Sequence, residues 1–279
     1  MNVPASYRHC EGVARAQAKN FYFSFLLLDK PRRQAMCAIY AFMRYCDDLS
    51  DAEGIADRAG SIEGWRKDLE AALAGHMPTD PLWPAFADAV DRYRIPHRYF
   101  FEMIEGVRSD LEPRRFQTFD ELYAYCYHVA SVVGLTIIHI FGFEDPKALG
   151  LAETCGIAFQ LTNILRDVRE DALNGRVYWP QEDLQRFGVP DADLHQTSLS
   201  PALLQLLQFE AQRAAQYYRE SSPLVGMIDP QSRASMRALI GIYIRLLKKI
   251  QESGHDVMSR RVSVPGREKL WILLRSRWS

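Results

Sequence analysis

Two short runs carry acidic and donor side chains at helical spacing, Asp47 and Asp167 lying 120 positions apart. The first reads Arg44-Tyr45-Cys46-Asp47-Asp48-Leu49-Ser50-Asp51. The second reads Gln160-Leu161-Thr162-Asn163-Ile164-Leu165-Arg166-Asp167-Val168-Arg169-Glu170-Asp171. Residues three and four apart share a helix face. Tyr40, Arg44, Asp47 and Asp51 therefore form one stripe, and Gln160, Asn163, Asp167 and Asp171 another. Apolar neighbours (Ile39, Ala41, Phe42 and Met43; Ile164, Leu165 and Val168) predict that both helices are buried. Buried carboxylates are costly unless a counter-charge cancels them. A hard divalent cation does this with oxygen ligands and leaves positions open for phosphate oxygens. Two facing acidic stripes with arginines nearby thus describe a site for Mg²⁺ and a diphosphate. The blander reading, two solvent faces laced by i,i+4 ion pairs, fits the apolar surroundings poorly.

Such a site needs rigid elements to hold it. The chain reads as helices over roughly 5–18, 31–51, 61–75, 82–93, 97–109, 118–142, 147–172, 200–221, 231–252 and 266–275, with Pro and Gly signals between them. No alternating strand pattern bounded by hairpin turns is present. Neither ladder makes a site alone and no linker divides the chain, so residues 1–279 are read as one all-α domain. The 118–142 segment is apolar nearly all round, which predicts a central helix. Gly134 lies in its middle, serving either tight helix packing or space for an apolar chain; Val129 and Val133 share that stretch. Phe21, Phe25 and Phe23 between them are candidates for the same cavity. The longest irregular stretch, from Asn174 to Pro201, carries Arg176, Tyr178 and Trp179 and is expected to act as a lid.

Composition narrows the rest. A hydrophobic fraction of 48% suffices for a core, and a net charge of −1 gives no case for nucleic acid. Five cysteines without close pairing fit reduced thiols in a cytosol. The N-terminal residues have no apolar signal core, and no apolar run is expected to span a membrane; Val129–Phe143 reads as a core helix. From Lys248 onward, eight Lys/Arg face three acidic residues, with Trp271, Ile272, Leu273, Leu274 and Trp278 among them. That segment either docks on the domain by its apolar face or rests on an anionic membrane. The expected location is cytoplasmic, peripheral at the membrane's inner face on the second reading.

The motifs Tyr40 to Asp51, Tyr125-Cys126-Tyr127-His128-Val129-Ala130, and Gln160 to Asp171 followed by Arg176-Val177-Tyr178 resemble the squalene/phytoene synthase family, the head-to-head isoprenyl diphosphate synthases. The resemblance runs from about Lys19 to Trp271 and implies an all-α isoprenoid-synthase bundle around a central cavity. It implies that Asp47, Asp51, Asp167 and Asp171, with Asn163, hold two to three Mg²⁺ ions and diphosphate, Gln160 standing on the same wall. Arg44, Arg166 and Arg176 would contact diphosphate, as would Arg261 on looser spacing. Tyr40, Tyr125 and Tyr178 would be cavity tyrosines, the last two catalytic. Two places depart from the family pattern: Gln17-Ala18-Lys19-Asn20-Phe21 before the first aromatic, and His128 where glycine is usual.

The implied reaction ionises an allylic diphosphate and couples the cation to a second prenyl diphosphate through a cyclopropyl intermediate. Phe21 and Phe25 as a floor favour farnesyl diphosphate and a presqualene or squalene-type C30 product, with or without dehydrosqualene as the end point. Phytoene synthase, joining two geranylgeranyl diphosphates, is the alternative. NADPH use and oligomeric state are left open. A class I terpene cyclase and a non-catalytic partner subunit are the other readings; Asp171 where cyclases usually have Glu argues against the first, and the retained carboxylates argue against the second.

Overall fold

A computed structural model of the chain describes residues 1–18, 21–51, 57–111 and 114–278, the side chains of 50 and 51 apart. Among these residues the regular elements are helical: α1 Val3–Gln17, α2 Phe21–Phe25, α3 Lys30–Asp51, α4 Arg58–Leu73, α5 Trp83–Arg92, α6 Arg98–Ser109 and α7 Phe119–Cys126. A π-helical turn, Tyr127–Ser131, leads into α8 Val132–Phe141. Then come α9 Lys147–Leu173, α10 Gln181–Phe187, a 3₁₀ turn Asp191–His195, α11 Pro201–Glu220, α12 Leu224–Met227, α13 Arg233–Glu252 and α14 Gly266–Trp278. The only β features among them are two isolated bridges, Arg115 to Val177 and Phe143 to Ile228. The all-α, single-domain expectation holds.

Local chemistry sets several boundaries. The Asn2 side chain accepts from Ala5 N at 3.0 Å and Pro4 sits in the first turn, so α1 starts where its free amides find a partner. Ser200 does the same for α11 through Leu203 N, with Pro201 at the first position. Gly188 adopts a left-handed φ of 65° to close α10.

Two packed cores meet at a seam. One gathers α1, α3 to α6, α8 and the first half of α9 around Phe42, Trp83, Phe86 and Phe100. The other gathers the second half of α9 with α10, α11 and the later part of α13. Phe21, Phe159 and Ile240 touch both. All five cysteines are buried and unpaired, as small apolar residues would be.

Three expectations are corrected here. The 118–142 helix is interrupted by its π turn, which periodicity alone does not register. Two helical stretches, Phe119–Phe141 and Lys147–Leu173, are long and apolar enough to cross a membrane, although the sequence was read as having none; 56% of each apolar window is buried inside the fold. The 174–200 stretch is no loose lid. It carries α10 and the 3₁₀ turn, buries Trp179, Leu184 and Leu194 in the second core, and bonds Gln181 N to Phe116 O at 2.8 Å. Its apolar anchors outweigh the turn signals that flank them.

One buried charge cluster yields a pH expectation. Arg213 donates to Asp183 at 2.8 Å and Glu210 at 2.7 Å while its guanidinium covers the Phe119 ring at 4.1 Å. Glu210 is fully buried. Burial pushes its pKa up to about 8, the charge of Arg213 only partly offsetting this and Asp183 adding to it. Between the ordinary value of 4.5 and about 8, the folded chain therefore holds a proton that the unfolded chain releases, and stability falls as pH rises. Glu210→Gln is expected to flatten that slope, so its melting temperature gains on the parent towards pH 8. Parallel slopes for the two proteins in thermal melts would overturn this account.

Candidate active site

A cavity of about 390 Å³ opens at the seam between the cores. Met36 and Asp47, eleven residues apart on α3, both line it, as do Ala152 and Asn163 on α9. At 1.5 Å per residue each pair spans roughly 16 Å, which is the depth of the cavity along these helices. Both helices run from the apolar end to the polar end, while α7, the π turn and α8 return from Tyr125 to Ile138.

The polar end gathers Arg44, Asp47, Asp110, Tyr125, Gln160, Asn163 and Tyr178. The apolar end is lined by Phe25, Met36, Ile138, Leu224, Met236 and Leu239. Tyr40, Phe21, Val129, Val133 and Gly134 also line the cavity, so twelve of the residues picked from the sequence meet in one space. Phe23 does not: it faces α14, with the Lys269 ammonium 5.7 Å from its ring. His128 joins the wall and pairs its Nδ1 with Ala124 O at 2.8 Å. Lys19 and Asn20 lie outside the described residues, and so does the Asp51 side chain.

The rings are arranged as a wall. Tyr125 and Tyr178 stack at 5.2 Å between centroids, and Phe116 backs Tyr125 at 5.4 Å. The Tyr125 hydroxyl donates to Asp110 at 3.2 Å. Burial raises the Tyr125 and Tyr178 hydroxyls well above their ordinary range, and the Asp110 charge adds to it. Burial also pushes Tyr40 up to about 12, although Arg44 works against it. All three phenols are therefore neutral near pH 7.

Five expected residues sit outside the main lining. Asp171 and Arg176 border a small adjoining recess that shares Tyr178 with the cavity. Arg166 and Arg261, expected on diphosphate, instead engage Asp167. Arg166 forms a two-pronged pair with it, and Arg261 Nε donates to it at 2.9 Å. The reason is proximity: a carboxylate only 15% exposed takes the nearest counter-charges. Arg44 similarly pairs with Asp48 one turn on while still lining the cavity.

The donors suit a divalent cation in character. Asn163 Oδ1 is buried with no hydrogen-bond partner, an oxygen held ready for a ligand. Burial and the Asp167 charge push Asp171 up to about 7, the mark of a carboxylate lacking sufficient positive charge. Burial would raise Asp167 too, but Arg166 and Arg261 hold it below the usual range. No three His, Cys, Asp or Glu side chains are already gathered as a metal cluster among the described residues. The oxygens instead stand on separate helices around the polar end.

Residues 14–268 match the squalene/phytoene synthase family model. This chain belongs to the squalene/phytoene synthase family. Family membership makes it a head-to-head isoprenoid synthase of the prenyltransferase class. It is 35% identical to the 15-cis-phytoene synthase of Synechococcus elongatus, over 98% of this chain and 92% of that one. It is 38% identical to the phytoene synthase of Mycobacterium tuberculosis, over 97% and 90%. Its fold is similar to a dehydrosqualene synthase crystal structure, with a TM-score of 0.91, 30% identity and coverage of 98% and 95%. A squalene synthase from Alicyclobacillus acidocaldarius superposes at TM-score 0.84 with 26% identity, over 90% and 95%.

Three polar or aromatic cavity residues of this family member escaped the sequence reading: Asp110, Phe159 and Tyr243. Phe159 and Tyr243 stack face to face at 4.1 Å with 6° between planes, and Phe21 leans on Tyr243 at 5.8 Å. Phe159 lies four residues before Asn163, and Tyr243 four after Leu239, so helical spacing could have found both. Asp110 follows the end of α6 and carries no periodic signal.

Proposed function

We propose that this synthase joins two geranylgeranyl diphosphates head to head, giving a C40 product of the phytoene type. The observation that carries the coupling chemistry is the cavity itself: donor-rich at one end, apolar at the other, with aromatic rings between. The C20 substrate is favoured by the relatives named phytoene synthase at 35–38% identity across nearly the whole chain. Along the wall, Gly134 and Gly156 serve close packing against the backbone of Ala152 and Ser131, whereas Ala130 and Ala152 are small and Met36, Met103 and Met236 are deformable. A long chain finds space there.

The residues divide the work. Mg²⁺ held by Asp47, Asn163, Asp167 and Asp171, with Asp51 from the motif, would supply positive charge against the departing diphosphate. Arg44 and Arg176 add fixed charge beside it. When the allylic C–O bond breaks, the diphosphate takes the electron pair, and the carbon cation is left among Tyr40, Phe159, Tyr178 and Tyr243. Ring faces stabilise it by cation–π attraction. Neutral phenols are poor nucleophiles, so they do not capture it. The 2,3 double bond of the second substrate then attacks, and proton loss closes a cyclopropyl diphosphate. A second ionisation releases the remaining diphosphate and rearranges the ring to a 1′-1 linked allylic cation, which loses a proton to give the phytoene-type product. The apolar walls keep water from quenching either cation.

A second reading, two farnesyl diphosphates, has its own support. Phe21 and Phe25 both line the cavity, its depth is roughly 16 Å, and the dehydrosqualene synthase fold superposes closely. The test is purified protein with Mg²⁺ and either the C15 or the C20 diphosphate, with and without NADPH, and products identified by mass. A C40 product from C20 is expected. C30 from C15 with no C40 from C20 would replace the first reading by the second, and no coupled product from either would overturn both.

A further inference from the structure

Helix α14 is packed on one face only. Ile272, Leu273 and Ser276 are buried against α13, where Gly241 leaves room for Ile272. The opposite face presents Leu270, Trp271, Leu274 and Trp278, at 55%, 58%, 55% and 84% exposure. Leu270, Leu274 and Trp278 are spaced by four and form a stripe with Trp271 beside it. A helix that merely covered a core would carry polar residues there. Contiguous apolar surface of this kind marks an interaction site.

What surrounds the stripe indicates the partner. Between α13 and α14 runs a groove of about 540 Å³ lined by Arg237, Lys248, Arg267 and Arg275 together with Trp271. Among the described residues, Lys248, Arg267 and Arg277 make no ion pair, whereas Arg245 and Lys249 are tied to Glu268. Residues 248–279 hold eight Lys/Arg against three acidic residues in a chain whose net charge is −1, so the positive charge is local. Tryptophans beside basic side chains match the headgroup layer of a bilayer, with an apolar edge below and anionic phosphates above. A soluble acidic protein would satisfy the charge and leave Trp278 and Leu274 without cover.

We propose that α14 and the basic groove beside it dock this synthase on an anionic membrane surface. The position suits the chemistry. One side of α13 turns Met236, Leu239 and Tyr243 into the cavity, while Gly241, Ile244 and Lys248 line the groove. Five-residue α2 packs beside α14, with Phe21 in the cavity and Phe23 against Lys269. Docking by α14 would therefore bring a thin wall of the cavity close to the bilayer. The surface stands whichever prenyl chain the cavity takes.

The test is co-sedimentation of the full chain, without substrate, using phosphatidylcholine vesicles with and without roughly one third phosphatidylglycerol. The protein is expected to pellet with the anionic vesicles only and to be released at about 1 M salt, where screening shortens to ~3 Å. Lys248→Gln with Arg267→Gln should weaken binding on the order of tenfold or more, at about fivefold per charge. Trp271→Ser with Trp278→Ser should weaken it comparably, and because both rings are exposed the variant keeps its melting temperature. Equal pelleting with neutral vesicles, or unchanged pelleting of both double variants, would overturn the assignment. So would a dimer in sedimentation velocity that the tryptophan variant dissociates, since a second copy would then cover the face.

Discussion

Asp167→Asn is expected to cut turnover on the order of 10³-fold, the scale seen when one electrostatic contact to a developing charge is removed. Asp167 sits at the centre of the charged end: Arg166 and Arg261 converge on it, and its own charge raises its neighbour Asp171. Asparagine preserves the shape and one acceptor but removes the negative charge that a cation needs. The two guanidiniums then lose charge-assisted bonds of about 1.5–3 kcal/mol each before compensation, and Glu170, 3.5 Å from Arg261, takes up part of the difference. Circular dichroism should therefore still report the full helix content at 25 °C. A second readout separates metal loss from misfolding. In the parent, Mg²⁺ with an unreactive diphosphate should raise the melting temperature by mass action, and the effect should grow with pH until Asp171, at about 7, has ionised. In the variant the temperature gain should vanish. Wild-type turnover, or an undiminished gain with Mg²⁺, would remove Asp167 from the metal set.

The two ladders were legible because each obeys one local rule. Three- and four-residue spacing placed Tyr40, Arg44 and Asp47 on the cavity side of α3, and Gln160 and Asn163 on that of α9. The apolar residues between them then put both helices in the interior, and the cores found around them agree. Helix spans were read correctly for the same reason, apart from the π turn that interrupts 118–142 and from α2, α10, α12 and the 3₁₀ turn, which are too short to develop a period. What spacing cannot give is partnership between distant segments. Nothing local says that Arg261 will reach across 94 residues to Asp167, so both it and Arg166 were assigned to substrate when their observed contacts are with the carboxylate. The 174–200 stretch misled for a related reason. Its Pro and Gly residues are visible in sequence, but the pockets that receive Trp179 and Leu194 are made by other elements.

The π turn is the feature furthest from the sequence signal, and it leads to the second large expected effect. An α-helix continued through Tyr127–Ser131 would show nearly the same apolar pattern, so nothing in the residues marks the extra residue that the wider turn takes up. The mark lies on its neighbours. A Cβ at Gly156 would fall 2.5 Å from Ser131 Cα, 2.8 Å from Ser131 N and 2.9 Å from Ala130 O, all main-chain atoms. On the other side, a Cβ at Gly106 would meet His128 O at 3.0 Å. The turn is thus held between two glycines, and Ser131 Oγ ties it to Glu153 O at 2.8 Å. Gly156→Ala should raise helix propensity by about 1 kcal/mol, yet overpacking against backbone costs about 1–3 kcal/mol or more. The clash should win at this distance, lowering the melting temperature by several degrees at roughly 2–4 °C per kcal/mol. Activity should fall as well, because Val129, Ala130 and Val133 line the cavity and move with the turn. Gly150→Ala is the control: it lies on the same helix with nothing within 4 Å of its would-be Cβ, so propensity acts alone and the protein should be stabilised. Opposite signs for the two variants in one thermal-melt series would show that close backbone approach, and not helix preference, fixes glycine at 156; matching signs would mean that α9 can shift away from the turn at little cost.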